Sequence, residues 1–152
     1  MNFKRIILTT IIVTVLSALY SMLTCGWLFS WVYMLEPTLV WIPKASMTGN
    51  FFLWVNLGNL VLYFFFVLIF TRLYESIPGA CSICKGVCFG IFVWLLGILP
   101  GMFATHMFMT VNSTVVIYWA ISGLIWLLIA GAITGLLSGF KKDPEAKCCC
   151  CS

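Results

Sequence analysis

Four long apolar runs make up most of this chain, and each is close to the length of a membrane-spanning helix. They cover about residues 6–34, 51–70, 87–108 and 115–140. A helix needs about 20 apolar residues to cross a hydrocarbon core of about 30 Å. We therefore predict an all-α integral membrane protein, built as a four-helix transmembrane bundle in contact with the lipid bilayer.

The composition supports a membrane protein and argues against a water-soluble domain. Hydrophobic residues make up 63% of the chain and charged residues only 8%, whereas soluble domains carry about 25% charged residues. We expect one transmembrane domain over residues 1–152, of which residues 141–152 form a short cytoplasmic Cys-rich tail. The basic residues lie at the ends of the apolar runs rather than in a stripe, so we expect no nucleic-acid partner.

The basic residues also predict the orientation of the bundle, because Lys and Arg are enriched in cytoplasmic loops. Only one of the eight, Lys44, falls in the first loop. The others lie before the first run, between the second and third, or after the fourth, at Lys4, Arg5, Arg72, Lys85, Lys141, Lys142 and Lys147. We expect both termini in the cytoplasm, and a first run that is kept as a span rather than cleaved as a signal peptide.

Small residues on the third and fourth runs predict that these two helices pack closely. On the fourth run, a spacing of four separates Gly131, Gly135 and Gly139, beside a second ridge of Ala130, Thr134 and Ser138. On the third run, the same spacing separates Gly86 from Gly90 and Gly97 from Gly101. Helices in lipid associate through close backbone contact. We expect this contact within one chain, with a homodimer face as the alternative.

Two further positions predict local features of this hairpin. Pro100 removes the donor for the carbonyl of Leu96, so we expect a kink that fits the helices together or, as the alternative, serves a gate. The segment Asn112-Ser113-Thr114 matches a glycosylation acceptor. It lies close to the predicted membrane, and we interpret it as a turn and a helix cap.

The apolar runs carry no acidic residue, which argues against a proton-coupled pump and an aspartyl protease. Glu36 lies in the first loop, Glu75 at the end of the second run, and Asp143 and Glu145 in the tail. No Ser-His or Ser-Lys pair is evident within the runs. We therefore expect no enzyme and no catalytic residues.

Four polar residues near the predicted outer face are candidates for a small binding pocket. Asn56 and Asn59 are three apart and share one face of the second helix. His106 lies near the outer end of the third run, and Glu36 lies in the first loop. We predict an outward-facing polar pocket or, alternatively, asparagines that hydrogen-bond between helices and a histidine at the membrane interface.

Seven of the eight cysteines fall on the predicted cytoplasmic side, where thiols stay reduced. They are Cys81, Cys84 and Cys88 at the start of the third run, and Cys148, Cys149, Cys150 and Cys151 in the tail. The first three share a helix face, and clustered thiolates bind thiophilic ions, so Zn or Cu(I) is the candidate cofactor. The alternatives are acylation of the tail and thiols without a special role.

A set of glycine, proline and aromatic motifs runs from the first loop to the fourth run. It comprises Trp41-Ile42-Pro43, Arg72-Leu73-Tyr74-Glu75, Lys85 to Gly90, Leu99-Pro100, Trp119 to Gly123 and Ala130-Gly131. This set resembles a family of small, uncharacterised bacterial inner-membrane proteins with four helices. The resemblance covers most of the chain and implies an architecture and a bacterial plasma membrane, without an activity. The clustered cysteines and the Cys-rich tail depart from the family pattern.

We interpret the chain as a small membrane protein with a structural or accessory role through helix packing, in a homo-oligomer or a larger complex. One alternative is a protein that binds or carries a thiophilic metal of the Zn, Cu or Hg type. Another is a transporter or pore for a small solute, kinked at Pro100. A pocket continuous with the outer face would favour the alternatives, and a solid bundle would favour the accessory role.

Overall fold

The computed structural model describes residues 3–36 and 49–138, and most of this length is helical. Helix α1 (Phe3–Ser21) continues into a π-helical segment (Met22–Leu28), and a 3-10 turn (Ser30–Met34) follows it. The next helices are α2 (Gly49–Leu73), α3 (Ser82–Val93), α4 (Leu99–Phe108) and α5 (Ser113–Leu137). A second π-helical segment (Trp94–Ile98) joins α3 to α4.

The structure confirms an all-helical chain with four helices long and apolar enough to cross a membrane. They are Phe3–Leu28, Gly49–Leu73, Ser82–Phe108 and Ser113–Leu137. The first stops at Leu28 rather than near residue 34, because a 3-10 turn replaces the helix beyond it. The third begins earlier than predicted, because Cys81 caps α3. Gly139, Phe140 and the predicted Cys-rich tail lie outside the described residues.

Helices α3 and α5 pack in direct backbone contact, as the glycine spacing predicted. A Cβ at Gly86 would lie under 3.0 Å from the carbonyl oxygen of Gly131, and a Cβ at Gly131 would meet the carbonyl oxygen of Gly86 in the same way. The same holds for two further pairs, Gly90 with Leu127 and Gly135 with Ser82. The predicted contact between the two helices therefore forms within one chain, and it requires glycine at these positions.

The prediction that Gly97 and Gly101 also face the fourth helix is wrong. Nothing lies within 4 Å of the position that a Cβ would take at either residue. The π-helical segment changes the helix register, and side chains larger than glycine point toward α5 at this level. The indole Nε1 of Trp94 donates a hydrogen bond of 2.9 Å to the carbonyl of Ala120. These larger side chains hold α4 away from α5, and none of the residues of α4 is buried.

Helix α1 packs on α2 and α5 through a face of small polar residues and valine. This face is formed by Thr9, Thr10, Val13, Thr14 and Ser17, all of which are buried. The hydroxyl of Thr10 donates to the carbonyl of Ile6 at 2.9 Å, and that of Thr14 to the carbonyl of Thr10 at 2.8 Å. The hydroxyls of Thr10 and Thr14 are thereby satisfied within their own helix, and the hydroxyl of Ser17 bonds to Tyr63 on α2.

The turn between α2 and α3 lies at the end of the bundle that carries Arg5, Arg72 and Lys85, which we call the basic end. The ammonium of Lys85 donates to the carbonyl of Tyr74 at 3.0 Å and lies 4.5 Å from the centre of the Tyr74 ring. The hydroxyls of Tyr74 and Ser82 share a hydrogen bond of 2.7 Å. These bonds fix the start of α3 against the end of α2.

The turn at the opposite end confirms the helix cap predicted for the segment after α4. The side-chain oxygen of Asn112 accepts a hydrogen bond of 2.9 Å from the backbone N–H of Thr114, at the first turn of α5. The side-chain amide of Asn112 also donates to the backbone carbonyl of Glu36 at 3.2 Å. The cap therefore ties the α4–α5 turn to the chain that follows α1.

Candidate functional site

A series of hydrogen-bonded polar side chains runs through the interior between α1, α2 and α5, and we call it the polar column. It comprises Ser17, Tyr20, Cys25, Tyr33, Tyr63, Tyr118, Trp119, Ser122 and Trp126. All three helices contribute to it. The chemistry of the bundle interior is therefore carried by hydroxyl, thiol and indole groups.

The centre of the column joins three helices at a single hydroxyl group. The Tyr63 hydroxyl on α2 accepts a hydrogen bond of 2.7 Å from the indole N–H of Trp126 on α5. The same hydroxyl shares a hydrogen bond of 2.7 Å with Ser17 on α1. Because Trp126 and Ser17 are buried, loss of this hydroxyl would leave two buried polar groups without this partner.

The next level of the column lies one turn closer to the C-terminus of α1 and one turn closer to the N-terminus of α5. The hydroxyl of Tyr20 lies 3.0 Å from both the carbonyl and the hydroxyl oxygen of Ser122. The ring of Tyr20 lies 5.2 Å from that of Trp126, centre to centre. Ring contact thus connects this level to the centre of the column.

The far end of the column surrounds the thiol of Cys25. The hydroxyl of Tyr33 donates to the sulfur at 3.4 Å, and the hydroxyl of Tyr118 lies 3.6 Å from it. The indole N–H of Trp119 donates to the Tyr33 hydroxyl at 2.9 Å. Burial, together with the hydrogen bond to Cys25, raises the pKa of Tyr33 well above its ordinary value. Tyr33 therefore stays a neutral donor to the thiol.

The π-helical segment of Met22–Leu28 places Cys25 in this position. The hydroxyl of Thr24 donates to the carbonyl of Tyr20 at 2.8 Å. The backbone N–H of Phe29 donates to the carbonyl of Thr24 at 2.9 Å, five residues back rather than four. A π segment turns the residues after it to a new face of the helix, and such segments are frequent at functional sites. Here the new face brings the thiol to Tyr33 and Tyr118.

The four residues of the predicted outer pocket lie on α2, on α4 and in the chain after α1. The side-chain amide of Asn56 donates to the carbonyl of Phe52 in its own helix at 2.7 Å. Asn56 also lines an apolar groove of about 580 Å³ between α1 and α2, whose lining residues include neither Asn59, His106 nor Glu36. Asn59 is half-buried on α2, and His106 and Glu36 are exposed. A role for these four residues together stays a prediction.

The three cysteines at the start of α3 lie at the basic end; none of them is in a disulfide, and each is partly buried. Cys81 is the N-cap residue of α3, and its sulfur accepts a hydrogen bond of 3.2 Å from the backbone N–H of Cys84. Cys88 lies one turn further along the helix. Hydrogen bonds from the side chain and then the backbone N–H of Cys84 lower the pKa of the Cys81 thiol.

The described residues contain no group of three or more His, Cys, Asp or Glu side chains placed to hold a metal ion. The set of Cys81, Cys84 and Cys88 therefore lacks the geometry of a three-ligand site. The predicted Zn or Cu(I) site would need ligands from Cys148, Cys149, Cys150 and Cys151, which lie outside the described residues. Metal binding stays a prediction.

The polar column was not predicted from the sequence, because the apolar runs carry no Asp, Glu, Lys or Arg that would mark a polar interior. The available signal was the presence of tyrosines inside the apolar runs, among them Tyr20, Tyr63 and Tyr118. A tyrosine in such a position needs a partner for its hydroxyl, which serine, indole or backbone groups of neighbouring helices supply.

The fold and site define an all-helical chain with four apolar, span-length helices and a neutral, hydrogen-bonded interior. Comparisons with known protein families, with curated proteins and with solved structures found no match for this chain. The resemblance to small bacterial inner-membrane proteins thus stays a prediction from the motifs alone.

Proposed function

We propose that this chain is a four-span protein of a bacterial plasma membrane, with both termini in the cytoplasm and a structural or accessory role. Its helices would act by packing, against one another and against a partner in the same membrane. The four apolar helices and the distribution of basic residues support the membrane location and the orientation.

The observation that carries this proposal is the contrast between helices joined by close contacts and one uncovered helix. Helices α3 and α5 are in backbone contact, and the polar column connects α1, α2 and α5. By contrast, every residue of α4 is at least partly exposed, and Phe108 is 88% exposed.

The α4 surface is the face we propose for contact with a partner, which is a second copy or another membrane protein. It is aromatic and apolar, with Phe103 66% and Phe108 88% exposed. Aromatic residues are enriched where proteins contact one another. The α3–α5 contact and the polar column support a binding role over transport, because both connect helices across the space that a solute would have to cross.

The test is site-specific photocross-linking in native membranes. A benzophenone amino acid replaces Phe103 or Phe108 on α4, and a matched control replaces Leu136 on α5, which is 65% exposed. We expect one discrete protein adduct from the α4 positions and none from Leu136. An adduct of twice the chain mass identifies a second copy, and an adduct of another mass identifies a different protein.

Lipid adducts alone at every position would contradict the accessory role. The same purified protein, reconstituted in vesicles, then separates the transport alternative from the proposal. Flux of a small solute that is lost when a bulky residue replaces Ser122, whose hydroxyl faces Tyr20 between α5 and α1, would favour a transporter.

A further inference from the structure

The N-terminus of α3 holds a pair of thiols that the proposed accessory role does not use. Cys81 and Cys84 form a C-x-x-C motif whose first residue is the helix cap. Cys81 has extended backbone angles, with φ −135° and ψ 158°, so its side chain turns back over the first turn of the helix. The sulfur of Cys81 thus lies 3.2 Å from the backbone nitrogen of Cys84.

This arrangement activates the first thiol. The N-terminus of a helix presents free N–H groups and a partial positive charge, both of which stabilise a thiolate. The Cys84 side chain and backbone N–H both hydrogen-bond to Cys81, and they lower the pKa of its thiol. Cys81 is also partly exposed, so a substrate can reach it. A partly exposed thiolate beside a second thiol is the arrangement of a dithiol that exchanges with disulfides.

We propose that Cys81 and Cys84 form a redox pair that reduces disulfide-bonded substrates at the basic end of the bundle. Cys81 is the attacking residue, and Cys84 is the resolving residue. The substrate class is a low-molecular-weight or protein disulfide that approaches from the aqueous side of that end. This inference does not depend on the proposed accessory role.

The exchange takes two steps. The Cys81 thiolate, whose proton has gone to solvent, attacks one sulfur of the substrate disulfide, and the other sulfur leaves as a thiolate that takes up a proton. The Cys84 thiol then loses its proton and attacks the Cys81 sulfur, which releases the second substrate thiol. In total, two thiols of the chain become one disulfide, and the substrate disulfide becomes two thiols.

Cys88 serves as the internal control. It lies on the same helix, one turn beyond Cys84, and it is also a partly buried free thiol. Cys88 does not lie at the helix N-terminus, because α3 begins at Ser82. A Cys88→Ser variant therefore tests whether the disulfide forms at the helix N-terminus or further along the same helix.

The experiment uses the full chain, purified in detergent, reduced, and incubated without oxygen in buffers of increasing oxidised glutathione. After acid quenching and alkylation, peptide mass mapping locates each disulfide. We expect a Cys81–Cys84 bond to form first. Cys84→Ser should instead trap glutathione on Cys81, and Cys88→Ser should leave the Cys81–Cys84 bond unchanged. Size-exclusion profile and helicity confirm that each variant is folded.

A second measurement follows alkylation of the reduced protein by iodoacetamide as a function of pH. Because the backbone N–H of Cys84 stabilises the Cys81 thiolate, its reaction should reach half of its maximal rate at a lower pH than the reaction of free glutathione. At neutral pH, we expect Cys81 to react several-fold faster than glutathione. Equal pH profiles for the two thiols would overturn the proposed activation.

Three other results would overturn the proposal. The first is the absence of a Cys81–Cys84 bond at every glutathione ratio. The second is preferential oxidation of Cys88 or of the tail cysteines. The third is near-stoichiometric zinc in the purified protein, measured by elemental analysis and lost in the Cys81→Ser variant. That last result would favour the metal-binding alternative.

Discussion

Gly86 and Gly131 each present a hydrogen atom where any other residue would present a carbon. The backbones of α3 and α5 approach so closely at this point that each glycine faces the carbonyl oxygen of the other. Close approach maximises dispersion contacts along both helices, which is the main source of attraction between helices in lipid. The contact therefore depends on two residues that contribute no side chain of their own.

We predict that Gly86→Ala destabilises the bundle, because the added Cβ would overlap the carbonyl of Gly131 and force the two helices apart. Overpacking of this kind costs about 1–3 kcal/mol. The control is Gly97→Ala, where the space is open and the better helix propensity of alanine makes the change neutral or slightly stabilising. Unfolding in detergent of increasing SDS fraction measures both, and equal stabilities of the two variants would contradict the prediction.

A second residue-scale prediction concerns the centre of the polar column. Tyr63→Phe removes the hydroxyl that accepts a hydrogen bond from Trp126 and bonds to Ser17. We therefore expect the free energy of unfolding to fall by about 1 kcal/mol. A double-mutant cycle with Trp126→Phe checks the pairing. If the two changes act through one hydrogen bond, their joint effect is smaller than the sum of the single effects. Strict additivity would show that the bond contributes nothing.

Single residues also show what sequence reasoning captures and what it misses. The contact at Gly86 and Gly131 was predictable, because a spacing of four small residues has one physical meaning on a lipid-exposed helix. The partners of Tyr63 were not predictable, because a hydrogen bond between α2, α1 and α5 depends on the rotation of each helix. Periodicity identifies a face of a helix but not the residue opposite it.

Helices α3 and α4 form one span that is interrupted by a π-helical segment. The interruption comes from a change in backbone hydrogen bonding next to a proline. Pro100 lacks the N–H that would pair with the carbonyl of Leu96. The bonding shifts instead to a wider turn, and the N–H of Leu99 pairs with the carbonyl of Trp94, five residues back. The irregularity at Pro100 thus takes the form of a π-helical segment before the proline, and the predicted kink stays a prediction.

This shift also explains why the prediction for Gly97 and Gly101 failed. Their spacing of four places them on one face of a regular α-helix, in line with Gly86 and Gly90. One extra residue in a turn rotates everything beyond it by about 100°. The second glycine pair therefore points away from α5, although its sequence pattern is the same as that of the first pair.

We predict that Pro100→Ala restores a regular α-helix and turns α4 about its axis. The alanine N–H would pair with the Leu96 carbonyl, and the π-helical segment would lose its cause. Pairs of nitroxide-bearing amino acids at Met107 and Ile117, both exposed, report the distance by electron spin resonance. We expect a changed distance in Pro100→Ala and an unchanged one in the control Phe103→Leu. An unchanged distance in both variants would indicate that the packing of Trp94, rather than Pro100, causes the π-helical segment.

For the molecule as a whole, the apolar runs and their boundaries were enough to predict an all-helical chain with four span-length helices. The interior could not be predicted in this way, since it has no charged group to mark it. The predicted orientation rests on Lys and Arg at the ends of the helices. Arg5, Arg72 and Lys85 do lie at one end of the bundle, because α1 and α2 run in opposite directions and the α2–α3 turn joins that end.

We predict that the basic end faces the cytoplasm. Green fluorescent protein fused to the C-terminus should fluoresce, and alkaline phosphatase fused there should be inactive. Alkaline phosphatase inserted after Lys44 should be active, because this loop is on the opposite side. As a control, the same insertion between Pro78 and Gly79 should be inactive. The reverse pattern of activities would show an inverted bundle.

The contact between the glycines of α3 and α5 has a genetic consequence. Every glycine codon begins with two guanines, and a change at either base encodes a residue with a side chain or a stop. At Gly86, Gly90, Gly131 and Gly135, a Cβ would meet backbone under 3.0 Å away. In a library of all single-nucleotide variants, those that still fold should therefore carry only third-base changes at these codons. Gly58 and Gly101 face open space, so their codons should accept the single-base change to alanine.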